Sequence, residues 1–210
     1  MGASTMFDIV SSTVIAGILF LMVIRLSAQA NETALVYHTN LMVQQNMISL
    51  VGVIEHDFRR IGFCADPSKI DNPTEAIRLA DSSSIRFWTD VDNNGALDSI
   101  YYYVGSTSEA AVAETQNPRD RILYRQTNTG SPLVMQIGVT QFRFRYFDSL
   151  GDSITLPVVD PRQVHTLEIS MAVESPAPYQ LEYTSVGDTL ADFQVFWRQL
   201  RLAARNLRNR

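Results

Sequence analysis

Apolar positions dominate the first 26 residues of the chain. Residues 9–24 carry no charge, and Met6, Phe7 and Leu26 extend this apolar stretch at its two ends. A helix of about 20 apolar residues is long enough to cross the hydrocarbon core of a bilayer. The pattern therefore predicts a membrane-spanning helix near the N-terminus, with one carboxylate, Asp8, close to its start.

A secretory signal peptide is the alternative interpretation of this stretch. Such peptides begin with a basic region and end in a cleavage site of small residues. No Lys or Arg precedes Asp8, and the first basic residue, Arg25, follows the apolar stretch. The charge distribution favours a membrane helix over a signal peptide, and it leaves the orientation of that helix open.

The helical pattern continues beyond the apolar stretch. Residues 33–63 contain no Pro, and their only glycines are Gly52 and Gly62. A helix over residues 4–61 would be about 85 Å long at about 1.5 Å per residue, so its second half must lie outside a bilayer. We expect that half to pack through a stripe of positions spaced three and four apart, namely Tyr37, Leu41, Gln44, Ile48, Val51, Glu55 and Phe58.

After Gly62 the pattern changes to short segments in which apolar and polar residues alternate, as they do in antiparallel sheets with one wet face. In "VTQFRFRYFD" the apolar set is Phe142, Phe144 and Tyr146, and in "HTLEISMAV" it is Leu167, Ile169, Met171 and Val173. Turn sequences occur at residues 92–95, 128–131 and 149–153. Strands are predicted at residues 84–89, 98–104, 121–126, 139–148, 164–173 and 193–199, the last burying Phe193, Val195 and Trp197.

These elements predict an α+β fold, in which a long N-terminal membrane-spanning helix packs on an antiparallel β-sheet domain. Residues 1–29 form the transmembrane half of the helix, residues 30–63 its amphipathic outer half, and residues 64–210 the sheet domain. Cys64 is the only cysteine, which excludes an intrachain disulfide. The net charge of −5 argues against general attraction to nucleic acid.

The acidic segment "DVDNNGALD" has the spacing of the first part of an EF-hand loop. Asp90, Asp92, Asn94 and Asp98 occupy positions 1, 3, 5 and 9, and Gly95 occupies position 6. Position 12 holds Tyr101 where an EF-hand has a bidentate glutamate, so a bound Ca²⁺ would have a dissociation constant of about 10⁻⁴ to 10⁻³ M. A polar hairpin turn is the alternative, because Asn-Gly is itself a strong hairpin signal.

No motif in the chain indicates an enzyme. The sequence lacks a Gly-rich phosphate loop, a Gly-x-Ser-x-Gly elbow and a His-Glu-x-x-His helix.

Near the helix end, surface ion pairs and the helix dipole account for Asp57, Arg59 and Arg60, with contacts between subunits as the alternative. The basic tail could contact DNA or anionic lipid, and a helical tail would gather four arginines on one face: Arg198, Arg201, Arg205 and Arg208.

Four stretches together resemble the type IV pilin superfamily, and within it the W-type minor pilins and the J-type minor pseudopilins of type II secretion. "STMFDIVSSTVIAGILFL" fits the N-terminal pattern of aromatic, Thr, two apolar residues and Glu, with Thr5 on the Thr, Asp8 on the Glu and Gly17 on the helix glycine. "EHDFRRIGF" resembles the end of the family's helix, "FWTDVDNNGALDSIYYYVG" its acidic hairpin and "LAARNLRNR" its final residues. Residues 64–83 and 105–119 match least.

The resemblance implies a non-enzymatic filament subunit that primes, caps or incorporates into a pilus or pseudopilus from a bacterial inner membrane. It implies that Asp8 pairs with the terminal amine of a neighbouring subunit, and that other pilin or pseudopilin subunits are the partners. The alternative for Asp8 is a carboxylate within reach of the membrane interface that has no special role, since it lies only a few residues from the start of the chain. The processing site would involve Gly2, Ala3 and Ser4, since cleavage after Ala3 makes Ser4 the new N-terminus. The alternatives are a membrane-anchored extracytoplasmic binding module and a pilin that binds DNA through its tail.

Overall fold

The computed structural model describes residues 2–70, 72–112, 115–178, 180–183 and 189–203. The chain divides into two compact units, Met1–Leu41 and Met42–Arg210. The predicted α+β fold is confirmed: a long N-terminal apolar helix is followed by an antiparallel sheet.

The first helix, α1, runs without interruption over Gly2–Arg59. Its end follows from Gly62, which has a φ of 70° that favours glycine and turns the chain away from the helix axis. The main-chain N–H of Gly62 donates to the carbonyl oxygen of Trp88 at 2.9 Å, so the turn is tied directly to the sheet. The helix predicted over residues 4–61 therefore agrees with the structure to within two residues at each end.

The sheet has seven strands, all antiparallel, in the order β1-β2-β3-β4-β5-β6-β9. A hairpin of β7 and β8 forms a separate two-stranded sheet, and a short helix, α2, lies at Thr107–Val112. The strands are β1 Ile77–Ala80, β2 Ser84–Thr89, β3 Asp98–Val104, β4 Arg121–Thr127, β5 Leu133–Phe147, β6 Thr166–Glu174, β7 Gln180–Tyr183, β8 Thr189–Asp192 and β9 Val195–Leu202.

The six predicted strands all exist, and two of them have the predicted bounds. The largest difference is in β5, which begins at Leu133 rather than at residue 139. A bulge at Gly138 explains this, because its φ of 76° breaks the alternation that marks a strand in the sequence. Sequence patterns missed β1, β7 and β8, which have four residues each and are too short for alternation to be distinctive.

The stripe predicted to pack α1 on the sheet was right at Phe58, which is fully buried, and wrong at most other positions. Ile48 is 70% exposed and Gln44 is exposed, and the buried positions in this part of the helix lie one residue earlier. One residue corresponds to a rotation of about 100° around a helix of 3.6 residues per turn. The stripe that enters the core of the Met42–Arg210 unit consists of Val43, Met47, Leu50, Ile54 and Phe58. This stripe has no polar member, unlike the predicted one, which contained Gln44 and Glu55.

Phe58 lies at the centre of that core. Its ring contacts Phe87 and Tyr102 at centroid distances of 5.2 and 5.4 Å and stacks on Phe144 at 5.8 Å. The sheet side of the core is the face that alternation predicted, including Phe142, Phe144 and Tyr146 on β5 and Leu167, Ile169, Met171 and Val173 on β6.

The predicted inward face of the last strand was also wrong. Trp197 is 58% exposed and Val195 is 49% exposed, while Leu200 and Leu202 are buried. The register with β6 is the reason, because Leu200 lies opposite Ile169 and Leu202 opposite Leu167. Residues opposite one another in an antiparallel pair share a face, so the even-numbered positions of β9 point to the core.

Candidate functional site

The N-terminal part of α1 is an apolar surface that the described chain does not cover. One segment of this helix is long and apolar enough to cross a membrane, and none of its most apolar window is buried. Its large apolar side chains are between 49% and 76% exposed: Met6, Phe7, Ile9, Val10, Val14, Ile15, Ile18, Leu19, Phe20, Leu21, Met22, Val23, Ile24 and Leu26. Exposure of so much continuous apolar area indicates contact with lipid or with other protein.

Asp8 is an exposed residue of this surface, between Phe7 and Ile9. Two nearby polar side chains satisfy their hydroxyl groups within the helix: Ser12 donates to the carbonyl of Ile9 at 2.9 Å, and Thr13 to that of Val10 at 2.8 Å. An ionised carboxylate only accepts hydrogen bonds and cannot use the helix carbonyls in this way. None of the described residues forms an ion pair or a side-chain hydrogen bond with Asp8.

The other residues predicted for the N-terminal site all belong to the same helix. Gly2, Ala3, Ser4 and Thr5 lie in its first turns, three to six residues before Asp8 on the same helix. A side chain added at Gly17 would meet nothing within 4 Å, which leaves a gap in the bulky surface at that position. Such a gap permits close approach of another helix.

The acidic loop between β2 and β3 is built around the carboxylate of Asp90, which is fully buried. Its Oδ2 accepts main-chain hydrogen bonds from Ala65 and Gly95, both at 3.0 Å, and its Oδ1 accepts one from Asn94 at 3.1 Å. Burial alone would raise the pKa of Asp90, but these backbone hydrogen bonds outweigh it and hold the pKa below its ordinary value. Asp90 is thus ionised and organises the loop.

The other predicted metal ligands converge on the same loop. Asp90, Asp92 and Asp98 each bring one carboxylate oxygen within 4.8 Å of the others, a spacing that could hold a metal ion. Asp98 accepts hydrogen bonds from the main chain of Val91 at 3.0 Å and from Asn128 at 2.7 Å. Each carboxylate oxygen has two lone pairs, so the three aspartates keep lone pairs that can coordinate a metal ion after these hydrogen bonds are made.

Asn94, the fourth predicted ligand, is less suited to this role. Its side-chain oxygen accepts the N–H of Ala96 at 2.7 Å and its amide donates to Asp92 at 2.9 Å. The loop also needs Gly95, whose φ is 80° and where an added Cβ would lie 3.3 Å from the Cβ of Asp66.

Arg60 follows α1 immediately, and its side chain binds the main-chain carbonyl groups of the acidic loop. Its guanidinium donates to the carbonyl oxygens of Val91, at 3.1 Å, and of Asp90, and to the side-chain oxygen of Asn93 at 2.6 Å. The hydroxyl of Thr89 donates a hydrogen bond to the main-chain carbonyl of Arg60 at 2.8 Å. Two of the sequence motifs, "EHDFRRIGF" and the acidic hairpin, are therefore in direct contact.

Asp57 is a buried anchor rather than the surface ion-pair residue that the sequence suggested. It is 4% exposed and its Oδ2 accepts hydrogen bonds from the Tyr102 hydroxyl and from Arg125 Nε, both at 2.6 Å. Burial would raise the pKa of Asp57, but the bonds from Arg125 and Tyr102 and the Arg125 charge outweigh it, so the pKa lies below its ordinary value. The only signal for this role was the position of Asp57 beside Phe58.

Within the described part of the basic tail, Arg198 and Arg201 do not share the face that a helix would have given them. Arg198 and Arg201 lie in β9, and an odd separation in a strand places them on opposite faces of the sheet. The guanidinium of Arg201 lies 4.5 Å from the ring centre of Phe147. Arg205 and Arg208 are outside the described residues.

Searches of protein-family models, of curated proteins and of solved structures found nothing that matches this chain.

Proposed function

We propose that this chain is a non-enzymatic structural subunit of a filament of the type IV pilus or type II secretion pseudopilus kind, acting as a minor pilin or pseudopilin. The carrying observation is the uncovered apolar segment of α1 with the unpaired Asp8 near its start. The α+β layout and the contact between the helix-end motif and the acidic hairpin support the same assignment.

The physical basis of assembly is the cost of an unpaired charge in hydrocarbon. A carboxylate at the centre of a bilayer costs at least about 2.5 kcal/mol by insertion scales, and a cationic partner removes part of this cost. In the proposal, the terminal ammonium of a neighbouring subunit is that cation. Exposed apolar residues around Asp8, such as Phe7 and Ile9, then pack against neighbouring helices once the subunit leaves the lipid.

This proposal places the apolar half of the helix in a bacterial inner membrane and the sheet domain in the periplasm or on the filament. The partners are other pilin or pseudopilin subunits. Processing at Gly2, Ala3 and Ser4 would free the amine that a neighbour's Asp8 binds. Mass spectrometry of the mature N-terminus from native membranes tests this step directly.

The main experiment compares Asp8→Asn and Asp8→Ala with a control, Glu32→Gln, which neutralises an exposed carboxylate farther along the same helix. All three variants should insert into membranes like the wild type. Only the Asp8 variants should disappear from sheared filaments, measured by immunoblot of filament and membrane fractions. Normal incorporation of both Asp8 variants would contradict the proposal and leave a membrane-anchored binding module as the better interpretation.

We also propose that the acidic loop binds Ca²⁺ through Asp90, Asp92 and Asp98, because their oxygens converge within 4.8 Å. Oxygen-rich sites that lack the bidentate glutamate bind with dissociation constants of about 10⁻⁴ to 10⁻³ M. Calorimetry on the full chain in micelles should therefore show saturable heat with millimolar Ca²⁺, and Asp92→Asn should weaken it. Absence of heat in the wild type would reject the site.

Binding of DNA through the tail is the less favoured alternative, because Arg198 and Arg201 lie on opposite sheet faces. A steep fall of DNA affinity with salt, abolished by neutralising Arg205 and Arg208, would restore it.

A further inference from the structure

A polar cleft opens where β5 parts from β4. The two strands pair only as far as Arg121 and Val139, and beyond this point β5 pairs with β6 alone. The pairing stops there because Arg121 is the first residue of β4. At the adjacent bulge only glycine fits at position 138, because an added Cβ would lie 2.3 Å from the carbonyl oxygen of Glu174. The cleft beside the bulge has a volume of about 420 Å³, within the range of small-molecule sites.

The walls of this cleft carry hydrogen-bond donors and two positive charges. The charged side chains are Arg121, at the start of β4, and Arg143, on β5, and the neutral donors are Ser82, Ser83 and Gln141. No residue of the described chain forms an ion pair with either arginine. Among the described residues, no acidic side chain lines the cleft.

Two of the carboxylates near the cleft, Asp81 and Glu174, accept hydrogen bonds from other groups, and a third, Asp120, is buried directly before Arg121. Asp81 accepts the main-chain N–H of Ser82 at 2.7 Å. Glu174 accepts bonds from Arg119, at 2.7 Å, and from Asn117 and Thr140. Glu174 is compensated by Arg119, whereas Asp81 accepts only from a neutral amide; neither carboxylate lines the cleft or forms an ion pair with Arg121 or Arg143.

The main chain of β5 adds a donor at the same place. Phe144 directs its N–H away from β6 and donates to the carbonyl of Ser82 at 2.8 Å. Alternate residues of an antiparallel strand point their N–H groups to the same side, so Phe142 directs its N–H to the cleft edge as well. No carbonyl group of the described loops and turns accepts a hydrogen bond from the Phe142 N–H.

We infer that this cleft binds a small organic oxyanion, a carboxylate or a phosphate, between Arg121 and Arg143. A guanidinium matches the two oxygens of either group with parallel hydrogen bonds. The Phe142 N–H and the serine hydroxyls complete the donor set, and no carboxylate competes for it among the described lining residues. The site is independent of the filament role, because it uses neither α1 nor the acidic loop.

The test uses the full chain in micelles and follows the Phe142 amide resonance by NMR. Titrations with inorganic phosphate and with acetylated, amidated glutamate distinguish phosphate from carboxylate, and the corresponding glutamine compound is the neutral control. At least one anion should shift this resonance saturably with a dissociation constant of about 1 mM. Arg121→Gln and Arg143→Gln should each weaken binding about tenfold, the effect of losing one charge-assisted hydrogen bond.

Arg145→Gln is the matched control, because Arg145 lies on the same strand but contacts Glu168 at 3.9 Å rather than the cleft. It should change the affinity less than about twofold, since exposed charges act weakly at a distance. The inference is overturned if neither anion saturates, if the glutamine compound binds equally, or if Arg145→Gln weakens binding as much as the cleft variants. If Arg121→Gln does not fold, Arg143→Gln decides the question by itself.

Discussion

Removal of the Asp57 carboxylate should destabilise the sheet domain more than any surface ion-pair substitution on the same helix. Asp57→Ala leaves the Tyr102 hydroxyl and the Arg125 guanidinium without their shared acceptor, each having been 2.6 Å from it. Breaking a buried ion pair by removing one partner costs about 3–5 kcal/mol. Because the Arg125 side chain is 17% exposed and water can reach it, we expect about 3 kcal/mol.

The assay is urea denaturation of the full chain in mild detergent, followed by near-ultraviolet circular dichroism. Glu55→Ala is the control, because Glu55 forms only an exposed pair with Arg59 at 3.5 Å. Such pairs between residues four apart contribute about 0.3–0.5 kcal/mol. A loss below about 1 kcal/mol for Asp57→Ala, or a loss equal to that of Glu55→Ala, would refute the role of Asp57 as a buried anchor.

The pH dependence provides a second measurement on the same residue. The folded-state pKa of Asp57 lies below the ordinary value of 3.8, so its contribution to stability is fully present above that value. It is lost as the pH falls through the folded pKa. The stability difference between wild type and Asp57→Asn should therefore be constant above about pH 5 and should shrink below about pH 4.

Phe58→Ala should cost about 3–5 kcal/mol in the same assay, since it removes a fully buried ring, whereas Ile48→Ala, 70% exposed, should cost less than about 0.5 kcal/mol. Gly138→Ala should lower the thermal midpoint by several degrees, because its Cβ would collide with the Glu174 carbonyl and its φ is positive; an unchanged midpoint would mean that the bulge relaxes freely. Burial, and after it the charge and hydrogen bond of Asp57, raises the pKa of Tyr102 in the folded protein. The free energy of unfolding should therefore fall as the pH rises above about 10. A free energy of unfolding that does not change between about pH 9 and pH 12 would contradict this.

Local sequence patterns were enough to predict the long helix, the inward faces of two strands and the acidic cluster. The apolar stretch, the absence of Pro and the position of Gly62 were enough to predict α1, because helix formation depends on local dihedral freedom and spacing. Alternation predicted the inward faces of β5 and β6 for the same reason: a strand has a period of two wherever it is placed. The spacing of Asp90, Asp92 and Asp98 predicted their convergence, since Asp90 and Asp92 lie in one short loop and Asp98 is the first residue of the strand that follows it.

Tertiary contacts decided which of several equivalent faces is buried. Ile48 and Met47 both fit a helical stripe, but only Met47 meets the sheet, and Trp197 was a credible core residue until the register with β6 turned it outward. The partners of Asp57 are 45 and 68 residues away along the chain. Spacing along one segment carries no information about contacts of that kind, because they depend on how distant strands align.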